Sequence, residues 1–164
     1  MGFNMNEFWD KTPYSNSDYY KRIPLTQRAI LKAERQLGQK LPTELLELLR
    51  IRNGGYTQEF AYPMTERTSW SENHVPFSEL MGIVFDKSKT QEASLLDSSH
   101  AEEWGLPKKQ VPLCGDGHWF ITLDYRTSEV PKVMWIDTEC EEEVFIADSF
   151  KDFLNGLIPA ELFE

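Results

Sequence analysis

Early in the chain, apolar residues recur at helical spacing in two successive stretches. The first begins where Thr26 can cap a helix and ends where Gly38 can close it. The second is rich in leucine and follows Pro42, which suits the first turn of a helix. The pattern therefore predicts an N-terminal helical hairpin. The residues that mark the second helix are Leu41, Pro42, Asn53, Gly54 and Gly55.

Beyond Gly55 the helical period is lost, and short apolar runs alternate with turn residues. The runs that resemble strands occupy residues 83–85, 111–113, 119–123, 132–136 and 144–147. Because the last connections are too short for crossover helices, we expect a mostly antiparallel, twisted sheet. The polar segment 88–104 is compatible with a helix that ends near Gly105.

A third helical pattern lies near the end of the sequence. Ser149 can cap a helix, and Phe150, Phe153 and Leu154 fall on one face of it. This apolar face predicts a C-terminal helix packed on the sheet. The predicted fold class is therefore α+β, with residues 1–25 as an N-terminal arm and residues 26–164 as a single domain.

The composition fits one folded domain. A chain of 164 residues with 40% hydrophobic and 13% aromatic side chains can bury a core without disulfides or metals. The sequence has no run of about 18 apolar residues to span a bilayer and no signal-peptide pattern at its start, so we expect a cytoplasmic protein that does not bind membranes. Two cysteines suit that expectation, and whether Cys114 and Cys140 pair is left open.

The net charge of −10 is concentrated in the second part of the chain. Residues 1–60 hold 9 basic and 7 acidic side chains (+2), whereas residues 61–164 hold 8 basic and 20 acidic ones (−12). An acidic field repels phosphates and attracts basic proteins, so nucleic acid is disfavoured as a partner and a basic protein is favoured. Solubility alone is the simpler explanation of this acidity.

The sequence contains no arrangement of residues that is typical of catalysis or metal binding. The histidines, His74, His100 and His118, have no partner at the spacing of a zinc motif. A nucleophile elbow and a phosphate-binding loop are also absent, and the pair Asp116–Gly117 suits a tight turn. We therefore predict no catalytic residue, no metal and no cofactor.

A set of acidic and aromatic residues is the candidate surface for a protein partner. The stretch 137–143 is dense in carboxylates but has no glycine for the turn of an EF-type calcium loop. Two tryptophans lie in polar contexts, where exposed rings favour binding. The alternatives are a solvated loop and rings that cover a sheet edge. The candidates are Trp70, Glu72, Trp104, Asp137, Glu139, Glu141, Glu142 and Glu143.

The order of several landmarks resembles the SUKH superfamily. Its opening, E-x-x-L-G-x-x-L-P followed by N-G-G, is matched by Glu34, Leu37-Gly38, Leu41-Pro42 and 53–55. Its later landmarks resemble residues 76–83, 111–113, 123–126 and 146–154, so the likeness spans about residues 26–158. The structural residues of these landmarks are Leu41, Pro42, Asn53, Gly54, Gly55, Asp116, Gly117, Asp124, Phe150 and Phe153.

The resemblance implies an α+β fold without a catalytic motif. Bacterial members are mostly regarded as immunity proteins that bind polymorphic toxins, many of them nucleases, and fungal relatives include a regulator of cell-wall glucan synthesis. We therefore expect an immunity protein that binds a basic toxin domain, with a regulatory interaction module as the alternative. A small-ligand binder or enzyme that uses His118, Asp124 and Tyr125 is a weaker alternative. The identity of the partner and the oligomeric state are left open.

Overall fold

The computed structural model describes residues 3–11, 24–85 and 94–163, and of residues 98–100 it describes the backbone alone. The α-helices are α1 (Gln27–Leu37), α2 (Thr43–Ile51) and α3 (Phe150–Gly156). The strands are β1 (Gly55–Pro63), β2 (His74–Leu80), β3 (Gln110–Gly115), β4 (Trp119–Asp124), β5 (Lys132–Asp137), β6 (Glu142–Ala147) and β7 (Ile158–Pro159). Short 3-10 helices lie at Met5–Glu7, Leu95–His100 and Ala160–Phe163.

The predicted ends of α1 and the start of α3 are confirmed. The Thr26 hydroxyl accepts a hydrogen bond from the Ala29 N–H (3.1 Å), and Gly38 closes α1 with a φ of 71°. At α3, the Ser149 hydroxyl accepts from the Asp152 N–H (3.1 Å). The prediction for α2 is off by one residue, because Pro42 stands in extended backbone before the helix and not within its first turn.

The two N-terminal helices follow one another as predicted, but they pack mainly on different neighbours. Helix α1 lies against the 3-10 helix at 95–100, whereas α2 lies against α3 and the 3-10 helix at 5–7. The loop between them is fixed from both sides. The Glu34 carboxylate accepts from the Leu41 N–H (2.7 Å), and the Tyr125 hydroxyl donates to the Lys40 carbonyl (2.7 Å). The hairpin prediction is therefore met in part.

The strands form two antiparallel sheets. One has the order β2-β1-β7, and the other is the predicted meander β3-β4-β5-β6. The sheets are joined where the Met81 N–H donates to the Leu113 carbonyl (2.8 Å). The predicted antiparallel pairing is confirmed in both sheets. It follows from the connections, since hairpin loops join β1 to β2 and each strand of the meander to the next.

Two local predictions are wrong. Residues 83–85 do not form a strand, because the Asn53 side chain takes both backbone groups of Ile83, accepting from its N–H (2.8 Å) and donating to its carbonyl (2.9 Å). Where segment 88–104 is described, it holds the 3-10 helix Leu95–His100 and turns in place of an α-helix. Residues 86–93 lie outside the described residues.

The core lies between the two sheets, α2 and α3. Phe153 of α3 stacks on Tyr62 of β1 at 5.3 Å and meets Phe77 of β2 edge-on at 4.9 Å. Since Phe150, Phe153 and Leu154 are all buried, the prediction of a C-terminal helix packed on the sheet is confirmed. A smaller apolar cluster covers the other face of the meander and consists of Ala101, Leu106, Phe120, Met134 and Ile136.

The described part of the N-terminal arm packs into this core. Phe8 and Trp9 are buried, and the Trp9 indole N–H donates to the Leu48 carbonyl (3.0 Å). Trp9 also forms an antiparallel bridge with Thr57 of β1. Residues 3–11 therefore contribute side chains to the same core as the rest of the domain.

Candidate partner-binding surface

Three loops meet at one end of the molecule, which we call the loop end: the β1–β2 loop (64–73), the β3–β4 loop (116–118) and the β5–β6 loop (138–141). The meander places the last two loops side by side, and the Thr138 N–H donates to the His118 carbonyl (2.8 Å). The charged side chains of these loops are Glu66, Glu72, Asp116, Glu139 and Glu141 against Arg67, a net charge of 1 − 5 = −4.

Ser69 ties the β1–β2 loop to the β5–β6 hairpin. Its hydroxyl donates to the Asp137 carboxylate (2.5 Å), and its N–H donates to the Glu142 carboxylate (2.8 Å). Glu142 also accepts from the indole N–H of Trp135 (3.0 Å), whose ring stacks on Trp119 at 4.6 Å. Both carboxylates, which the sequence suggested as partner contacts, therefore hold two loops of the chain together.

Asp137 is a structural residue of the loop end. Its side chain is buried, and its second oxygen accepts the N–H groups of Glu139 and Cys140, both at 2.9 Å. Burial acts to raise the pKa of Asp137, but the Ser69 hydroxyl and the two N–H groups outweigh it and hold the pKa below its ordinary value. The carboxylate therefore stays ionised and shapes the β5–β6 loop.

Other predicted carboxylates face solvent. Glu72, Glu139 and Glu141 are exposed on the loop end, where Glu139 lies 3.1 Å from the His118 ring nitrogen. Glu143 is exposed on β6, but it pairs with Arg126 at 2.6 Å. The structure thus divides the predicted acidic set into exposed residues and residues with internal partners.

The two predicted tryptophans differ in their surroundings. Trp70 is 44% exposed in the β1–β2 loop. Trp104 is 37% exposed, and its ring stacks flat on Phe120 at 5.7 Å, where it covers the outer apolar cluster of the meander. The neighbouring Gly105 lies against Thr138, because a Cβ at that glycine would come within 3.2 Å of the threonine side chain. Both rings therefore lie near the loop end.

The polar residues of the enzyme alternative do not form a cluster. His118 precedes β4, whereas Asp124 and Tyr125 lie at its other end, about 20 Å away for a six-residue strand. Burial acts to raise the pKa of Asp124, but hydrogen bonds from Arg126 and Gln110 outweigh it, so the pKa lies below its ordinary value. These groups fix the β4–β5 loop.

Within the described ranges, no group of three or more His, Cys, Asp or Glu side chains is arranged to hold a metal ion. His100 belongs to the residues whose side chains are not described. Cys114 is buried, Cys140 is exposed, and both are free, so the open question of their pairing is answered in this structure. In the same ranges, no helix has the length and apolar character needed to cross a bilayer.

Sequence reasoning missed the residues that build the β1–β2 loop, namely Thr68, Ser69, Ser71 and Phe163. Ser69 and Phe163 contact segments far away in the sequence, whereas Thr68 and Ser71 form hydrogen bonds within the loop and with the adjoining residues. The one local signal is the run Thr-Ser-Trp-Ser at 68–71, in which hydroxyl residues that favour turns surround a tryptophan.

The architecture and the loop end together define an α+β domain that presents an acidic, aromatic surface on hairpin loops. The model of the SMI1/KNR4 family (SUKH-1) matches residues 24–156, and the chain belongs to this family. The resemblance to the SUKH superfamily is thereby confirmed. No curated protein and no solved structure matches the chain. Membership supports a role as an immunity protein or a regulator that works through protein–protein interaction, in a family that is generally non-enzymatic.

Proposed function

We propose that the chain is an immunity protein that binds a basic toxin domain through its loop end and thereby neutralises it. The observation that supports this most is the meeting of three loops with a net charge of −4 around an exposed tryptophan. A field of this sign attracts a basic surface and speeds association with it. Tryptophan is enriched among the residues that carry most of the binding energy at interfaces.

A nuclease is the toxin class that suits this surface best. A groove that binds nucleic acid must carry Lys and Arg to neutralise the phosphates. The exposed carboxylates of Glu72, Glu139 and Glu141 offer such a groove the same charge as its substrate. Occupation of the groove would then block the substrate without any chemistry by this chain.

Co-expression with a toxin domain, sought first among the products of neighbouring genes, tests the proposal. We expect the chain to restore growth to cells that make the toxin and to form a stoichiometric complex with it. Growth inhibition that is unchanged by the chain, together with the absence of a complex, would overturn the proposal. Recovery of several endogenous partners in place of one toxin would favour the regulatory alternative.

A pair of matched charge reversals tests the surface. Glu141→Lys changes an exposed residue of the loop end, whereas Glu129→Lys changes an exposed residue in the β4–β5 loop at the other end of the meander. We expect Glu141→Lys to slow association with the toxin by about tenfold at low salt, because charges at an interface act mainly on the association rate. Glu129→Lys should leave the rate within about twofold, since screening limits the reach of a surface charge to about 8–10 Å.

A further inference from the structure

We propose that Trp70 anchors the loop end and that its ring receives an arginine or lysine side chain from a basic segment of the partner protein. The inference rests on the proposed function and adds to it the contact residue and the chemical group that it binds. It is carried by the geometry of the β1–β2 loop, which presents an exposed tryptophan on a backbone fixed by its neighbours.

Trp70 is the most exposed of the five tryptophans in this chain. Trp9 and Trp135 are buried, and Trp119 stacks on Trp135. Trp104 stacks flat on Phe120 and so protects an apolar cluster. Trp70 meets the His74 ring edge-on at 5.0 Å and remains 44% exposed. Core packing therefore accounts for the other four rings better than for this one.

The loop around Trp70 is held in place by hydrogen bonds on both sides. The hydroxyl of Thr68, which is buried, accepts the N–H groups of Trp70 and Ser71, both at 3.2 Å. The Thr68 N–H donates to the Ser71 carbonyl (2.9 Å), and Ser69 is bound to Asp137 and Glu142. A ring on a fixed loop loses little conformational freedom when a partner binds, which favours affinity.

Further apolar groups extend the surface beside Trp70. The His74 ring stacks on Phe163 at 4.1 Å with an interplanar angle of 14°, and the adjacent Leu162 is 66% exposed. Burial lowers the pKa of His74, so this ring adds no positive charge at neutral pH. We call the four residues Trp70, His74, Leu162 and Phe163 the Trp70 patch.

The charges around the Trp70 patch decide which occupant fits it. Glu72 is two residues from Trp70, and Glu139 and Glu141 lie on the loop that Asp137 and Glu142 tie to Ser69. A cationic side chain can lie over the indole ring and reach a carboxylate with its N–H groups. The patch therefore fits a basic protein segment, whereas a nucleic acid would be repelled by the same carboxylates.

Asp137 and Glu142 are positioning residues in this account. Both carboxylates accept hydrogen bonds from Ser69 and so fix the loop. The contacts with the partner are made by the exposed carboxylates and the Trp70 ring. Removal of the Ser69 hydroxyl by Ser69→Ala should therefore weaken binding without changing the charge of the surface. The expected loss is smaller than for Trp70→Ala, because the ring itself remains.

An octa-arginine peptide, titrated into the intact chain at 0.15 M salt, provides the test. The indole N–H signals of the nitrogen-15-labelled protein report which tryptophan the peptide meets. We expect the Trp70 signal to shift most. Trp70→Ala should lower the affinity for the peptide by about fivefold, which is the size of an exposed cation–π contact. The matched control, Trp104→Ala, removes the other exposed tryptophan and should change the affinity by less than about twofold. An unchanged thermal midpoint of Trp70→Ala would show that the variant is folded.

The outcomes separate this inference from the proposed function. If Glu141→Lys lowers the affinity for the peptide but Trp70→Ala does not, the acidic surface is supported and the proposed role of Trp70 is wrong. If the peptide shifts signals of the β4–β5 loop and leaves those of the loop end unchanged, both the acidic surface and the Trp70 anchor are wrong. Failure of octa-arginine to bind at micromolar to millimolar concentration would also overturn the inference.

Discussion

The loop end and the opposite end of the meander differ in charge and in shape. At the opposite end, a groove of about 760 Å³ lies between the α1–α2 loop, the β4–β5 loop and the start of α3. The charged residues that line it are balanced, with Glu34, Glu44 and Glu129 against Arg35, Lys40 and Lys151. The loop end instead carries a net charge of −4 and an exposed tryptophan.

The difference teaches that a groove does not by itself make one end of the molecule the better candidate for binding a protein partner. A small ligand needs a cavity with a few converging polar groups, and two polar groups beside this groove, the Glu34 carboxylate and the Tyr125 hydroxyl, already bind the backbone of Leu41 and Lys40. A protein partner needs an exposed anchor and complementary charge, which the loop end offers. The predictions below compare the two ends.

Replacement of the acid that shapes the loop end should have the largest effect on stability. Asp137→Ala removes the acceptor of the Ser69 hydroxyl and of two backbone N–H groups. We expect a loss of about 2–3 kcal/mol in the free energy of unfolding, because hydrogen bonds to a buried charge are strong. Urea unfolding measures it, and Glu129→Ala at the groove end should stay within about 0.5 kcal/mol of the parent. Equal stability of both variants would contradict a structural role for Asp137.

At the groove end, Tyr125→Phe should have a smaller effect. The variant keeps the buried ring and removes the hydrogen bond from the hydroxyl to the Lys40 carbonyl. We expect a loss of about 1 kcal/mol in the free energy of unfolding, measured with urea. Binding of the toxin domain should not change, since this contact lies away from the loop end. A weaker complex would indicate that the groove takes part in recognition.

The pH dependence of stability should be steepest in acid. The pKa values of Asp137 and Asp124 are lower in the folded chain than the ordinary 3.8, so their contribution is complete above that pH and is lost as the pH falls through the folded values. Urea unfolding between pH 2 and pH 6 should therefore show declining stability below about pH 4. The decline should be shallower in Asp137→Asn, which cannot titrate at that position. The same slope in both proteins would contradict the predicted shift.

Charge reversal on the surface should have the smallest effect on stability at either end. Glu141→Lys and Glu129→Lys both change exposed side chains, so we expect each to stay within about 0.5 kcal/mol in urea unfolding. Their effects on association with the toxin should nevertheless differ. A large loss of stability in Glu141→Lys would mean that its binding defect results from unfolding and not from the changed surface charge.

The meander and the helix caps could be predicted because their signals are local. Thr26 and Ser149 each bind an N–H group three residues away, and the strands of the meander are separated by short turns. In contrast, β1 lacks a regular alternation, because a bulge between Tyr56 and Phe60 places Glu59 at a φ of 64°. The division into two sheets also depends on contacts between distant segments.

The candidate surface could be predicted as a set of residue types but not as a geometry. The exposed tryptophan and carboxylates follow from their polar surroundings in the sequence. The internal roles of Asp137 and Glu142 depend on Ser69, which lies 68 and 73 residues away along the chain. No local pattern reports such a contact, so a carboxylate that holds a loop cannot be told from one that faces a partner.

Amide hydrogen exchange of the chain, free and in complex with the proposed toxin domain, tests the central claim most directly. We predict that the complex protects backbone N–H groups of the β1–β2 loop (64–73) and the β5–β6 loop (138–141) against exchange. The groove at residues 38–44 and 129–131 should exchange as in the free chain. Protection confined to the groove, with the loop end unchanged, would contradict the account.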